Sequence, residues 1–386
     1  MRNWLLPEFL EDILPAEALR IERLRSEILE LFRVNGYQLV MPPMLEYVES
    51  LLTGTGRDMD LATFKLVDQL SGRHMGIRAD MTPQVARIDA HLLNRNGINR
   101  LCYAGSVLHT LPASLTNTRQ PLQVGAELYG HKSIESDIEV IKLMLTTLNA
   151  AGVKNVQIDI GHVGIFRALA KEGQLLAELE QNIFEALQSK DIASLAEYTA
   201  NMDKVLREPL LKLPTLYGNS AVLEKARQIL PALPDIELAL NELEKLAHVL
   251  STSGIEISFD LAELTGYHYH TGITFAAYAK GSAESIARGG RYDGIGKAFG
   301  RSRAATGFSI NDLRKLVELL PAASLPGAIL APYSEDAQLK MVVDLLRKEG
   351  EVVIVELPGQ TTNPMELNCD RILTLQDGTW QVLPLQ

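Results

Sequence analysis

The chain has 386 residues, 46% of them hydrophobic and 22% charged, which is the composition of an ordinary globular protein with room for two or three domains and a substantial core. A net charge of −11 argues against a protein whose main work is holding nucleic acid, because such proteins carry a basic surface. Two cysteines, Cys102 and Cys369, make neither a disulfide framework nor a metal set and point to the cytoplasm; no run approaches a membrane span, and Pro7, Glu8, Glu11 and Asp12 interrupt the N-terminal apolar stretch, so it is not a signal peptide.

Taken in order, Pro15 to Val34 reads as a helix, with Leu24, Ile28, Leu31 and Phe32 on one face and Asn35-Gly36 as its stop. Tyr37–Met41 is a short strand ended by Pro42-Pro43. Phe64–Asp68 and His74–Arg78 are short strands around a Ser71-Gly72 turn. Thr82 followed by Pro83 predicts an N-cap and first helical residue of a helix running to about Arg95. Leu101–Leu108 and Leu122–Tyr129 form an antiparallel pair with a long polar connection. Ser133 to Ala151 is a helix and Val153–Gly161 a strand. From Val163 to Leu250 the chain is rich in Leu, Ala, Glu and Lys at helical spacing, which reads as an inserted all-helical domain. Strands resume at Ile255–Leu261 and Ile273–Tyr278; Arg288 to Asp293 reads as a glycine-rich turn, and a helix runs from Asn311 to Leu320. The remainder predicts a compact βαββ-like unit whose closing hairpin turns at Asp377-Gly378.

The chemistry concentrates in the Leu122–Tyr129 strand. Period two puts Gln123 and Glu127 on one face with Gly125 between them. Two readings follow: an edge strand with a solvated polar face, or one wall of a pocket for a small ligand carrying several N–H donors. Tyr267-His268-Tyr269-His270 reads as structural aromatics or as a wall that stacks on or recognises an imidazole; the two histidines could be a metal pair, but no cysteine is near and no third ligand is fixed by spacing. Arg288-Gly-Gly-Arg-Tyr-Asp is neither a Walker A loop nor a dinucleotide-binding fingerprint.

Together these pieces resemble class II aminoacyl-tRNA synthetases, and among them the histidyl enzyme. The first motif is matched by Gly36-Tyr37 through Pro42-Pro43 with Glu46, and the Arg-Pro-Glu-x-Thr element by Arg78-Ala79-Asp80-Met81-Thr82. The second is matched by Tyr103-Ala-Gly105 and by Arg119 through Glu127. Gly289 to Asp293 is intact, and the third motif is reduced to Gly307 through Arg314. The resemblance implies an α+β fold: an antiparallel sheet flanked by helices, formed by residues 1–162 and 251–321, with a helical insertion over 163–250 and a small α/β unit over 326–386. It further implies that Asp80, Thr82, Gln123, Glu127, Tyr269, His270 and Arg291 surround a bound histidine.

The departures from the synthetase pattern concern catalysis. The arginine that grips the nucleotide's α-phosphate falls on His109, a nearby glutamate on Leu111, and the arginine that neutralises charge as the adenylate forms on Thr265. A histidine and a threonine do not replace two permanently charged bidentate groups. A pocket able to recognise histidine but unable to activate it is similar to the synthetase-like regulatory subunits of ATP phosphoribosyltransferase, as are Tyr269-His270-Thr271-Gly272 and Phe275-Ala-Ala-Tyr278. That resemblance implies a protein without catalytic residues, cofactor or metal. Its expected role is to assemble as a homodimeric core with the short catalytic subunit in a hetero-oligomer, activate the first step of histidine biosynthesis and mediate feedback inhibition by L-histidine.

Overall fold

The computed structural model describes residues 4–54, 56–251, 255–267, 269–320, 327–359 and 362–385. The chain divides into two compact units, Met1–Leu320 and Pro321–Gln386. Among the described residues nine strands form the main sheet of the first unit, and Leu45–Tyr47, His74–Ile77 and Phe64–Val67 form a small separate one. The order in the main sheet is Gln38–Leu39, Asn99–Ser106, Leu122–Tyr129, Ala305–Ile310, Ser285–Arg291, Ile273–Ala279, Val156–His162, Glu256–Asp260 and Tyr217–Gly218. Neighbours run antiparallel except at Gln38–Leu39 with Asn99–Ser106 and at Val156–His162 with Glu256–Asp260.

The sheet's two faces follow from alternation. Val124, Ala126 and Leu128 point into the main core. There they meet Ile21, Leu24, Ile28 and Phe32 of the Pro15–Val34 helix and Val140, Ile141 and Met144 of the Glu135–Ala150 helix. Gln123, Gly125 and Glu127 occupy the other face. There, at one end of the sheet, Met81, Val85, Tyr103, Tyr129 and Tyr292 make a second, smaller apolar cluster. The residues from Val163 to Ser251 carry six α-helices, a short 3-10 helix at Leu213–Thr215 and the two-residue strand Tyr217–Gly218. Ile165, Phe166, Leu240 and Leu243 from these helices join the same core as the sheet, so this segment packs on the sheet without a core of its own.

The Leu122–Tyr129 strand is interior, hydrogen-bonded on both sides, with Tyr103 opposite Gly125 and Gly307 opposite Glu127. The solvated-edge reading is thereby corrected: Gln123 and Glu127 are buried. Arg288 to Arg291 is also not a turn. It completes the central Ser285–Arg291 strand, and its glycines permit close packing, since a Cβ on Gly289 would lie 2.2 Å from the Gly307 carbonyl. Thr82 is the first residue of its helix, not the cap. Asp80 Oδ1 accepts from the Thr82 amide at 3.0 Å, which frees the Thr82 hydroxyl for other partners. The helix continues as a π-helical turn over Ile88–Leu93.

In the second unit the strands order as Val353–Val355, Ala328–Ala331, Cys369–Gln376 and Thr379–Pro384. The Ala337–Lys348 helix is capped by Asp336. Asp377 and Gly378 both have positive φ, at 49° and 78°, as the tight hairpin between the last two strands requires.

Candidate ligand-binding site

A cavity of about 950 Å3 opens on the face of the sheet that carries Glu127. Asp80, Thr82, Gln123, Glu127, Tyr269 and His270 all line it. His268 lies outside the described residues.

At the inner end Glu127 is 1% exposed. It stands over Gly307, where a Cβ would lie 1.6 Å from Glu127 Oε2, so the glycine is what leaves space for the carboxyl. Tyr103 lies 3.0 Å from Oε1, and the Tyr292 hydroxyl contacts Oε2. Burial pushes the Glu127 pKa up to about 8, and the tyrosine hydrogen bonds only partly offset it.

The contacts support a protonated Glu127 independently. Glu127 meets Tyr103 at 3.0 Å, Tyr103 meets Thr82 Oγ1 at 3.0 Å, and Thr82 meets Asp80 Oδ1 at 3.1 Å. Two hydroxyls have two protons to serve these three contacts. With Glu127 ionised, one contact lacks a hydrogen. With Glu127 protonated, all three are made, and the chain runs donor to acceptor from Glu127 to Asp80.

Asp80 organises the other end. Its Oδ1 also accepts from Gln123 Nε2 at 2.8 Å, while Gln123 Oε1 takes the Met81 amide at 3.0 Å. Gln123 is thus locked in one orientation by two fixed partners. Tyr269 stacks on Tyr292 with ring centroids 5.0 Å apart and meets His270 edge-on at 5.3 Å. The Tyr269 hydroxyl is buried without a hydrogen-bond partner among the described residues, a cost of about 1–3 kcal/mol that a ligand's polar atom would relieve. His270 Nδ1 lies 3.3 Å from the Thr265 carbonyl, and burial pushes its pKa down to about 4, so the ring is neutral.

Arg291 is a correction. Alternation puts Gly290 and Tyr292 on the cavity face and turns Arg291 to the other. There it is buried against Asp137 and donates to Ser136 Oγ at 2.9 Å and the Ser133 carbonyl at 3.2 Å. It holds the start of the Glu135–Ala150 helix and touches nothing in the cavity. The site residues that sequence reasoning passed over are Tyr103 and Tyr292. Both stand in the matched motifs, and both point at Glu127.

The outer end is unsuited to a nucleotide triphosphate. Among the described residues lining the cavity away from Glu127 and Asp80, Glu284, Asp312 and Glu318 are set against Arg288 and Lys315. Lys315 is committed to Glu284 at 2.5 Å and to Asn117. His109 turns Nε2 to the Ala79 carbonyl at 2.9 Å. Leu111 and Thr265 are exposed and do not line the cavity. Arg314, the last residue of the reduced third motif, pairs with Glu11.

The histidyl-tRNA synthetase family matches residues 9–316, and the family described as the ATP phosphoribosyltransferase subunit HisZ C-terminal domain matches residues 326–383. The ATP phosphoribosyltransferase regulatory subunit of Azoarcus sp. (strain BH72) is 54% identical over 384 residues, covering 100% of this chain and 99% of its own. That of Nitrosospira multiformis is 55% identical, covering 99% and 98%. The solved structure of an ATP phosphoribosyltransferase regulatory subunit/histidyl-tRNA synthetase from Bacillus halodurans superposes with a TM-score of 0.82 at 29% identity, covering 94% of this chain and 96% of that one. A histidyl-tRNA synthetase from Nostoc sp. PCC 7120 shares the fold, with a TM-score of 0.77 at 18% identity over 100% and 97% of the two chains.

Proposed function

This chain belongs to the family of ATP phosphoribosyltransferase regulatory subunits, built on a histidyl-tRNA synthetase-like frame, and we propose that it activates the short-form catalytic subunit of that transferase in the cytoplasm and transmits feedback inhibition by L-histidine bound in the cavity above Glu127. The observation that carries the reading is the division of the cavity. Its inner half keeps the groups that suit a histidine: a carboxyl between two tyrosines for the imidazole, and Asp80, Thr82 and Gln123 for the α-ammonium. Its outer half has an excess of carboxylates, and positions 109 and 265 carry a histidine and a threonine in place of arginines.

Adenylate formation is charge stabilisation and positioning at phosphorus. Losing one charge-stabilising group costs on the order of 10²–10³ in rate, so the loss of two leaves almost nothing. Histidine-dependent exchange of pyrophosphate into ATP with magnesium is therefore expected at background. Clear exchange would mean an active synthetase and would sink the regulatory reading.

Regulation needs histidine to bind the active and inhibited assemblies unequally, a coupling typically of about 1–3 kcal/mol. Leu39, Met41, Met44 and Leu45 are exposed along the first-motif segment and offer apolar surface for a homodimeric core. Mixing this protein with the short catalytic subunit should give a larger species on size exclusion, a faster condensation of ATP with phosphoribosyl pyrophosphate, and inhibition of that rate by histidine. An unchanged elution volume and rate would count against the assembly.

A further inference from the structure

A zwitterionic amino acid brings a carboxylate as well as an ammonium and a side chain. A carboxylate that leaves bulk water for a cavity is held best by a charge-assisted partner, so a cation is the group to look for beside it. The positions where the synthetases would carry arginines supply none: His109 is turned to a carbonyl, and Thr265 does not line the cavity.

The register of the sheet brings in another cation. Gly290, Gly307 and Glu127 lie opposite one another across three neighbouring strands, and Arg288, Ser309 and Gly125 form the next such row. Residues in one row share a face, so Arg288 stands on the face of Glu127. It is one row toward the Gln123 end of the cavity, about 7 Å along the strand, and two strands, about 10 Å, across from Gly125. An extended arginine side chain spans most of that gap. Among the described residues Arg288 makes one side-chain hydrogen bond, from Nη2 to Ser285 Oγ at 2.8 Å, and no ion pair. Lys315, the other permanent cation of the cavity, is already paired with Glu284. The Arg288 charge is close enough to His270 to add to the effect of burial on that ring.

We propose that Arg288 receives the α-carboxylate of the amino acid held in this cavity, and so makes the site select the amino acid over relatives that lack the carboxylate. The proposal rests on the reading that histidine binds above Glu127. Guanidinium and carboxylate meet in a two-bond, charge-assisted contact, the pairing arginine makes best. The imidazole then lies over the Glu127 row, the ammonium at Asp80 and the carboxylate toward Arg288, which uses three sides of the cavity and gives an anionic partner to an arginine that has none among the described residues.

The test is calorimetric titration of the full chain and of Arg288→Met, each with L-histidine and with L-histidinol, which replaces the carboxylate by a hydroxymethyl group. The wild type should bind histidine roughly ten- to a hundredfold more tightly than histidinol, the range of a hydrogen bond to a charged group. Arg288→Met should lose that preference and keep its histidinol affinity within about twofold, which also reports that the variant is folded. A variant that binds histidine as tightly as the wild type overturns the role of Arg288 and leaves the histidine site standing. Equal loss of both ligands also overturns it, because the effect would then not pass through the carboxylate. A wild type that binds neither ligand overturns the reading on which the proposal depends.

Discussion

Glu127→Gln should abolish measurable histidine binding while making the ligand-free protein more stable above pH 5. The two effects have one cause. Glu127 is fully buried, and its pKa is pushed up from 4.5 to about 8, so between those values the folded chain holds a proton that the unfolded chain has lost. A raised carboxyl pKa contributes its full stability below 4.5 and loses it as pH climbs to 8 and beyond. Wild-type stability therefore falls relative to the variant across that window, by at most about 1.4 kcal/mol per pH unit. Glutamine has nothing to ionise. Its amide can donate to Tyr103 and its carbonyl accept from Tyr292, which preserves the chain to Thr82 and Asp80. Urea denaturation at pH 5, 7 and 9 checks this: the two proteins should be closest at pH 5 and furthest apart at pH 9. A gap that does not grow with pH would show that Glu127 is ionised in the empty site.

Binding moves the other way. A protonated Glu127 and a neutral imidazole, with an ordinary pKa of about 6.5, together carry the single proton that the bound ion pair shares. Wild-type affinity should therefore peak between about pH 6.5 and pH 8. Below the peak the free imidazolium must release a proton, and above it the free carboxylate must take one up. Glutamine offers no charge to the bound imidazolium. Truncating one side of such a buried pair costs about 2–5 kcal/mol, or on the order of 30- to several-thousandfold in affinity. A flat pH profile in the wild type would contradict the pairing.

The parts of this site that local sequence displayed are those set by alternation. Gln123, Gly125 and Glu127 could be placed on one face because strand periodicity is local. Whether that strand was an edge or an interior one could not be told, because the strand that pairs its second side is Ala305–Ile310, almost two hundred residues on. The Arg288-Gly-Gly-Arg-Tyr-Asp run shows the opposite failure. Consecutive glycines usually mark a turn, but here they let strands and side chains approach closely in the middle of a sheet. Once that run is a strand, alternation turns Arg291 from the cavity and brings Arg288 and Tyr292 to it. The wrong element therefore produced the wrong site residue. Thr82 differs from its local signal for a related reason: the sequence offers its hydroxyl as a cap, whereas Asp80, two residues earlier, takes the helix amide and the hydroxyl joins the chain to Tyr103. By contrast the Pro15–Val34 helix and the closing hairpin carry their whole signal locally, and both lie where their residues predict.

Arg291→Ala should cost about 3–5 kcal/mol of stability and leave histidine affinity nearly unchanged. Arg291 is 7% exposed and Asp137 1%, and Nε and Nη2 of the arginine both reach Asp137 Oδ2. Even with this partner, burial holds the Asp137 pKa above its usual 3.8. Without it the carboxylate is a buried charge with nothing to balance it, and breaking a buried pair from one side carries that range of cost. The Ser136 hydroxyl and the Ser133 and His131 carbonyls each lose one donor as well, which loosens the start of the Glu135–Ala150 helix. Asp137 can escape by taking a proton, so the sign of the pH dependence is set. With its folded pKa raised further above 3.8, the variant keeps most stability at low pH and loses it as pH rises, so its deficit against the wild type should be smaller at pH 5 than at pH 8. Arg291→Met combined with Asp137→Leu should recover a large part of the loss, because an apolar pair of similar size has no charge to desolvate. Urea denaturation measures all three. Histidine titration of Arg291→Ala below its unfolding range separates the two roles the residue could have: an affinity within a few-fold of wild type belongs to a residue that braces the sheet from behind, and a loss comparable to that of Glu127→Gln would put Arg291 back among the ligand's contacts.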